Sequence, residues 1–175
     1  MIGRPEAGEA ASYYFTYIGQ TEGGDPLALL RDQTAPVLAE LRAISEETSL
    51  LRYEPGKWSV RELLNRVTDT ERAFAFRALW FARGFDAPLP GYDQDIAVAH
   101  AGADRISWAA HVEEFAAVRA STIAMFENMP AEGWPRKGIA SENLFTVRAL
   151  AFIVAGHVNH HMRILRERYL PEQAR

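Results

Sequence analysis

Four times along this chain a residue suited to capping a helix stands directly ahead of a long stretch of helical apolar spacing. Asp25-Pro26 offers an N-cap with proline at the first helical position, followed by Leu27, Leu30, Val37, Leu38 and Leu41 and ending near Ser45. Pro36 lies inside this run and predicts a kink or a short preceding turn. Ser59 and Glu62 form a capping box, with Trp58 and Leu63 placed for a hydrophobic staple across it. That second helix is predicted to reach about Arg83, with Leu63, Val67, Thr70, Phe74 and Phe81 on one face and Gly84 ending it. A third begins near Ser107, carries Trp108, Val112, Phe115, Val118, Ile123 and Phe126, and stops at Met129-Pro130. Thr146 opens a fourth that runs to about Tyr169, before Pro171. No stretch alternates with period two for long enough to make a strand. The pattern predicts an all-α four-helix bundle in one domain over residues 1–175. Long connections, one of them opening at residues 88–95, argue against tight up-down loops throughout. The segment 1–24, with Tyr13, Tyr14, Phe15, Tyr17 and Ile18, is expected to pack over a bundle end or seal a groove, ligand stacking being the alternative.

Composition removes several classes of function. Cysteine is absent, so disulfides, thiolate ligands and a cysteine nucleophile are excluded, and any metal must rest on His, Asp, Glu or water. The net charge is −4 and the Lys and Arg residues are scattered, which leaves no electrostatic footprint for nucleic acid. The longest weakly charged stretch, residues 149–158, is too short to span a bilayer, and no polybasic amphipathic stretch suits a membrane surface. Residues 1–6 lack the apolar core of a signal peptide, so the expected location is the cytoplasm. No nucleophile elbow, phosphate-binding glycine loop or dinucleotide fingerprint is present.

The chemistry concentrates near the end of the fourth helix. His157 and His161 stand four apart, so both imidazoles project from one face about one turn apart. A single helix can offer two nitrogen ligands to a divalent metal in this way, although paired helical histidines also serve in packing and hydrogen bonding. Leu150, Val154, Ile164 and Leu165 fall on or beside that face, which should turn it toward a core or its rim. His100 and His111 read as surface or loop residues. Asp69 and Glu71 share the second helix with Arg66; Asp69 could pair with Arg66 or supply an oxygen ligand, and Glu71, with Arg72 and Arg77 nearby, could bind helix to helix.

The segments 55–60, Asp69-Thr70-Glu71-Arg72, residues 90–95 and Gly156-His157 through His160-His161, in that order and spacing, resemble the DinB/YfiT-like superfamily. Arg4-Pro5, Tyr13-Tyr14 and Tyr17-Ile18 fit one branch of it, so the resemblance covers nearly the whole chain. It implies a four-helix bundle holding nickel or zinc through three histidines, two of them matching His157 and His161. The third lies in the second helix, three residues before the Asp of the Asp-Thr-Glu-Arg run; here that position is Arg66. Arginine stays protonated and has no lone pair for a metal, and a positive charge beside the imidazoles would lower their pKa.

Three readings follow. The first is a metal-dependent hydrolase or a transferase using a low-molecular-weight thiol on a small-molecule substrate, with His157 and His161 as ligands and Asp69 or water completing the site. The second is a binding protein whose site has lost its metal, Arg66 and Asp69 then serving a substrate or anion. The third makes the bundle mainly a dimerisation module, a homodimer being expected in any case.

Overall fold

The computed structural model describes residues 2–170. Helix α1 (Phe15–Ile18) follows a 3-10 turn and precedes the long α2 (Pro26–Arg42) and α3 (Val60–Ala82). A short α4 (Gln94–Ala101) leads to α5 (Trp108–Glu127), then strands β1 (Lys137–Ala140) and β2 (Asn143–Thr146), then α6 (Val147–Ile164). All four expected caps form. Asp25 accepts from the backbone N–H of Leu27 at 3.0 Å, Ser107 from Ala110 at 3.3 Å and Thr146 from Ala149 at 3.1 Å. The Ser59 hydroxyl accepts from Glu62 N–H while the Glu62 carboxylate accepts from Ser59 N–H, a complete capping box. Helix α2 continues through Pro36 rather than breaking there.

The four long helices are α2, α3, α5 and α6. Both α2 and α3 pack against α5 and α6, so helices consecutive among the four, α2 with α3 and α5 with α6, face each other across the bundle diagonal. That arrangement accounts for the long connections, because a diagonal crossing cannot be made by a tight loop. Helix α6 is the centre of the bundle, and its residues from Val147 to Ala155 are almost wholly excluded from solvent apart from Arg148. Two apolar clusters share it. One gathers Phe74, Phe81, Phe126 and Phe145 around the first half of α6, the other gathers Leu41, Leu63, Val67 and Trp108 around Val158, Met162 and Leu165. Between them lies a polar layer.

Part of that layer is a fully buried ion pair. Arg119 of α5 donates to both carboxylate oxygens of Glu71 on α3, at 2.9 and 2.8 Å, and to Gln33 of α2 at 2.6 Å. Gln33 donates in turn to Asn159 of α6 at 2.6 Å, so one chain of hydrogen bonds joins the four long helices. Glu71 thus binds helix to helix, through Arg119 rather than through Arg72 or Arg77.

Three features depart from the sequence expectations. The connection after α3 contains α4, capped by Asp93, which accepts from Asp95 and Ile96. The connection before α6 holds a β-hairpin, against the expectation of no strand. Its strands have four residues each, too few for alternation to register, and Ser141 and Glu142 at its tip both adopt positive φ, as a tight two-residue hairpin turn requires. Leu89 joins the edge of the hairpin, donating to Ile139 and accepting from Ser141, and so ties it to the segment after α3. Lastly, α6 widens to a π-helical turn over Leu165–Tyr169 before it ends.

Candidate functional site

His157 and His161 emerge where α6 passes between the two apolar clusters, and both are buried, at 3% and 6% exposure. Their ring centroids are 4.5 Å apart, one helical turn along α6. Arg66 comes from the adjoining face of α3. Its Nη1 donates to His157 Nε2 at 3.3 Å and to His161 Nε2 in closer contact. Both histidines therefore present the Nε2 lone pair to one guanidinium, and the proton of each neutral ring sits on Nδ1. His161 Nδ1 is buried and has no hydrogen-bond partner among the described residues. The other edge of Arg66 is held by one amide oxygen: Gln94 Oε1, at the start of α4, accepts from Nε at 3.1 Å and also from Nη2. The Trp58 ring lies 5.1 Å from the guanidinium carbon.

The electrostatics follow from this enclosure. Burial first, and Arg66 second, push His161 down to about 3. His157 lies well below the ordinary imidazole value, through burial, then His161, then Arg66. Burial also lowers Arg66, but a guanidinium remains a cation at any physiological pH. The site at neutral pH is two neutral imidazoles clasping one positive charge.

Beside this cluster opens a cavity of about 100 Å³. Tyr13, Tyr14 and Tyr17 form one wall, since the N-terminal segment folds back over α6 and seals the groove. Tyr17 meets the edges of His157 and His160 at centroid distances of 5.3 and 5.4 Å, and its hydroxyl shares a 2.9 Å hydrogen bond with that of Tyr13. Burial and the Tyr13 hydroxyl push the Tyr17 phenol up to about 12, so it stays a neutral donor. Helix α3 supplies the opposite wall through Arg66, Thr70, Phe74 and Arg77, positions spaced for one helical face. Arg77 is buried at 5% exposure, its Nη2 donating to Ser141 Oγ at 2.8 Å and to Pro90 O at 3.5 Å, with Phe74 and Phe145 against its plane. No Asp or Glu lines the cavity, and neither Arg66 nor Arg77 has a carboxylate partner among the described residues.

Two expectations are corrected. Asp69 does not join Arg66 or the histidines; it accepts from Arg72 at 3.0 Å, and Arg72 also bonds Glu114 of α5. His111 is neither a surface nor a loop residue: it is 1% exposed on α5, with Nε2 at 2.9 Å from Ala103 O, whereas His100 is exposed. Tyr17 lies in the aromatic segment that the sequence places over a groove, and Gln94 in the turn-rich run 91–95, which also suits a pocket mouth; nothing in the sequence reading marks Arg77 or Ser141 as site residues. For Arg77 a signal existed, because it repeats the face of Arg66 and Thr70 at helical spacing.

The donor set does not fit a metal as it stands. Two imidazoles are present, no group of three or more His, Asp or Glu side chains converges among the described residues, and Arg66 already takes both Nε2 lone pairs.

Comparison with known proteins agrees with the architecture. The sequence profile of the DinB superfamily matches residues 27–165. Among solved structures, the chain is similar to YfiT from Bacillus subtilis, described as a probable metal-dependent hydrolase with an unusual four-helix bundle topology. The two share 12% identity at a TM-score of 0.67, over 94% of this chain and 92% of that one. At that identity the likeness is one of fold. No curated protein matches the sequence.

Proposed function

The chain belongs to the DinB superfamily, and on that premise we propose that its central pocket binds a small carboxylate-bearing molecule without a metal. Arg66 stands between His157 and His161 where a metal ion would need their lone pairs, and it supplies the positive charge instead. The observation that carries this reading is the pair of buried arginines, Arg66 and Arg77, lining a cavity that contains no acid. A buried guanidinium without a counter-ion is costly, so the pocket favours an anion that arrives with the ligand.

Gln94 supports the same reading. Its single amide oxygen spans Nε and Nη2 of Arg66, the edge that a carboxylate engages with two oxygens. Gln94 is an exposed residue on the short α4, so an incoming carboxylate can displace it at little cost in packing. The histidines are poorly placed to act as bases, since their Nε2 lone pairs accept from Arg66, and this favours binding over hydrolysis.

Isothermal titration of untagged protein with butyrate at low ionic strength tests the reading. Arg66→Gln should weaken binding on the order of tenfold to a hundredfold, the value of a charge-assisted hydrogen bond, while Gln94→Ala should not weaken it. Undiminished binding by Arg66→Gln, or tight nickel or zinc binding by the unaltered protein, would overturn it.

A further inference from the structure

Each arginine of the cavity is matched with its own tyrosine. Tyr17 packs on His157, to which Arg66 donates, and Tyr14 packs on Phe74 and Phe145, the two rings that lie against Arg77. Arg66 and Arg77 lie eleven residues apart, three turns along one face of α3, while Tyr14 and Tyr17 lie three apart on the segment that crosses it. The Tyr14 and Tyr17 rings are 6.5 Å apart, and Tyr13 packs on both, at 5.3 and 5.7 Å. The cavity is thus a trough with a guanidinium of α3 toward each end and the rings of Tyr13, Tyr14 and Tyr17 along its other wall.

Neither end is saturated. Arg77 makes its side-chain hydrogen bonds from Nη2 alone, and Arg66 offers the edge now covered by Gln94. With both imidazoles neutral, two guanidiniums line the trough and no carboxylate does; Asp95, whose charge reaches Arg66, lies outside its lining.

Resting on the anion-pocket reading above, we infer that the ligand is a dianion with its acidic groups at opposite ends, a small dicarboxylate, held by Arg66 with Tyr17 at one end and Arg77 with Tyr14 at the other. A dicarboxylate neutralises both guanidiniums at once. A compact dianion such as phosphate has the same charge but can reach only one of them. Ser141 is then a positioning residue, since its hydroxyl fixes Nη2 of Arg77 from the tip of the hairpin.

The experiment is a calorimetric comparison of succinate, glutarate and adipate with butyrate and inorganic phosphate, all on the unaltered protein and on Arg77→Gln. At least one dicarboxylate should bind tenfold or more tighter than both butyrate and phosphate, and Arg77→Gln should weaken that dicarboxylate at least tenfold, to no better than butyrate binds the unaltered protein. Should Arg77→Gln fail to fold, Ser141→Ala keeps the charge and should selectively weaken the dicarboxylate. Equal affinity for dicarboxylates and butyrate, or phosphate binding as tightly as the best dicarboxylate, would overturn the two-ended ligand and leave the anion pocket standing. Binding of none of the five would overturn both.

Discussion

The backbone carbonyl of Tyr17 occupies the space a side chain at position 156 would need: a Cβ built on Gly156 would lie 2.0 Å from that oxygen and 2.5 Å from its carbon. The crossing of α1 over α6, and with it the tyrosine wall, depends on the absence of a single methyl group. Gly156→Ala should therefore push α1 off α6. Overpacking of this kind costs about 1–3 kcal/mol, and the tyrosine wall should lose its seat over His157. Urea denaturation should show the loss of stability, and near-ultraviolet circular dichroism should show altered tyrosine packing. A substitution that leaves both unchanged would mean that α1 is held by other contacts.

Arg66 is the residue that separates this site from a three-histidine centre. Arg66→His removes a buried charge and adds a nitrogen donor opposite two imidazoles, changes that act in the same direction. A gain of about 3 kcal/mol corresponds to roughly a hundredfold in affinity. Titration of untagged proteins with nickel and zinc should find weak binding in the unaltered chain and that increase in the variant. Equal, tight binding in both would show that another group already completes the site.

Acid should destabilise this protein earlier than carboxylate titration would. His161 has a folded-state value of about 3 against 6.5 unfolded, and His157 is also well depressed. The unfolded chain therefore takes up more protons than the folded one below about pH 6.5. Stability is full above that pH and falls as the pH drops toward the folded values, by up to about 1.4 kcal/mol per pH unit for each histidine. Urea midpoints measured between pH 7 and pH 5 should show the loss, and His161→Gln should flatten it. An unaltered midpoint across that range in the parent protein would contradict the depressed values.

Breaking the Glu71–Arg119 pair should cost more than replacing it. Arg119→Met strands a carboxylate that is only 1% exposed, and a loss of about 3–5 kcal/mol is expected. Replacing both residues, as Glu71→Leu with Arg119→Met, should recover much of that loss. A double variant less stable than the single one, measured by chemical denaturation, would show that the pair is worth more than its desolvation.

The four caps were legible because each is local: Asp25, Ser59, Ser107 and Thr146 bond residues two or three positions on. The site was legible in part. His157, His161 and Arg66 fall on inward faces, but the partner of Glu71 lies 48 residues away and no local pattern pairs them. A hint was present, since Arg119 falls in the same stripe as Val112, Phe115, Thr122 and Phe126, where a charge demands a buried counterpart. The hairpin escaped because Ser141-Glu142 is not the Asn-Gly pair that signals such a turn. Helix α4 escaped because its face is scarcely amphipathic, with Val98 its one buried residue.

The diagonal order of the helices bears on how the chain can reach this structure. In a bundle of consecutive hairpins each helix docks on one just made, and folding proceeds through short loops. Here the polar links run between Arg119 and Glu71 across 48 residues, Gln33 and Arg119 across 86, and Gln33 and Asn159 across 126. Loop closure must come before such contacts can repay it, which places this bundle among the slower helical folds. Helices α2, α3 and α5 also have little to enclose until α6 arrives. During synthesis their apolar faces stay open until the segment bearing His157 and His161 has left the ribosome, so the last long helix to appear is the one that lets the others settle.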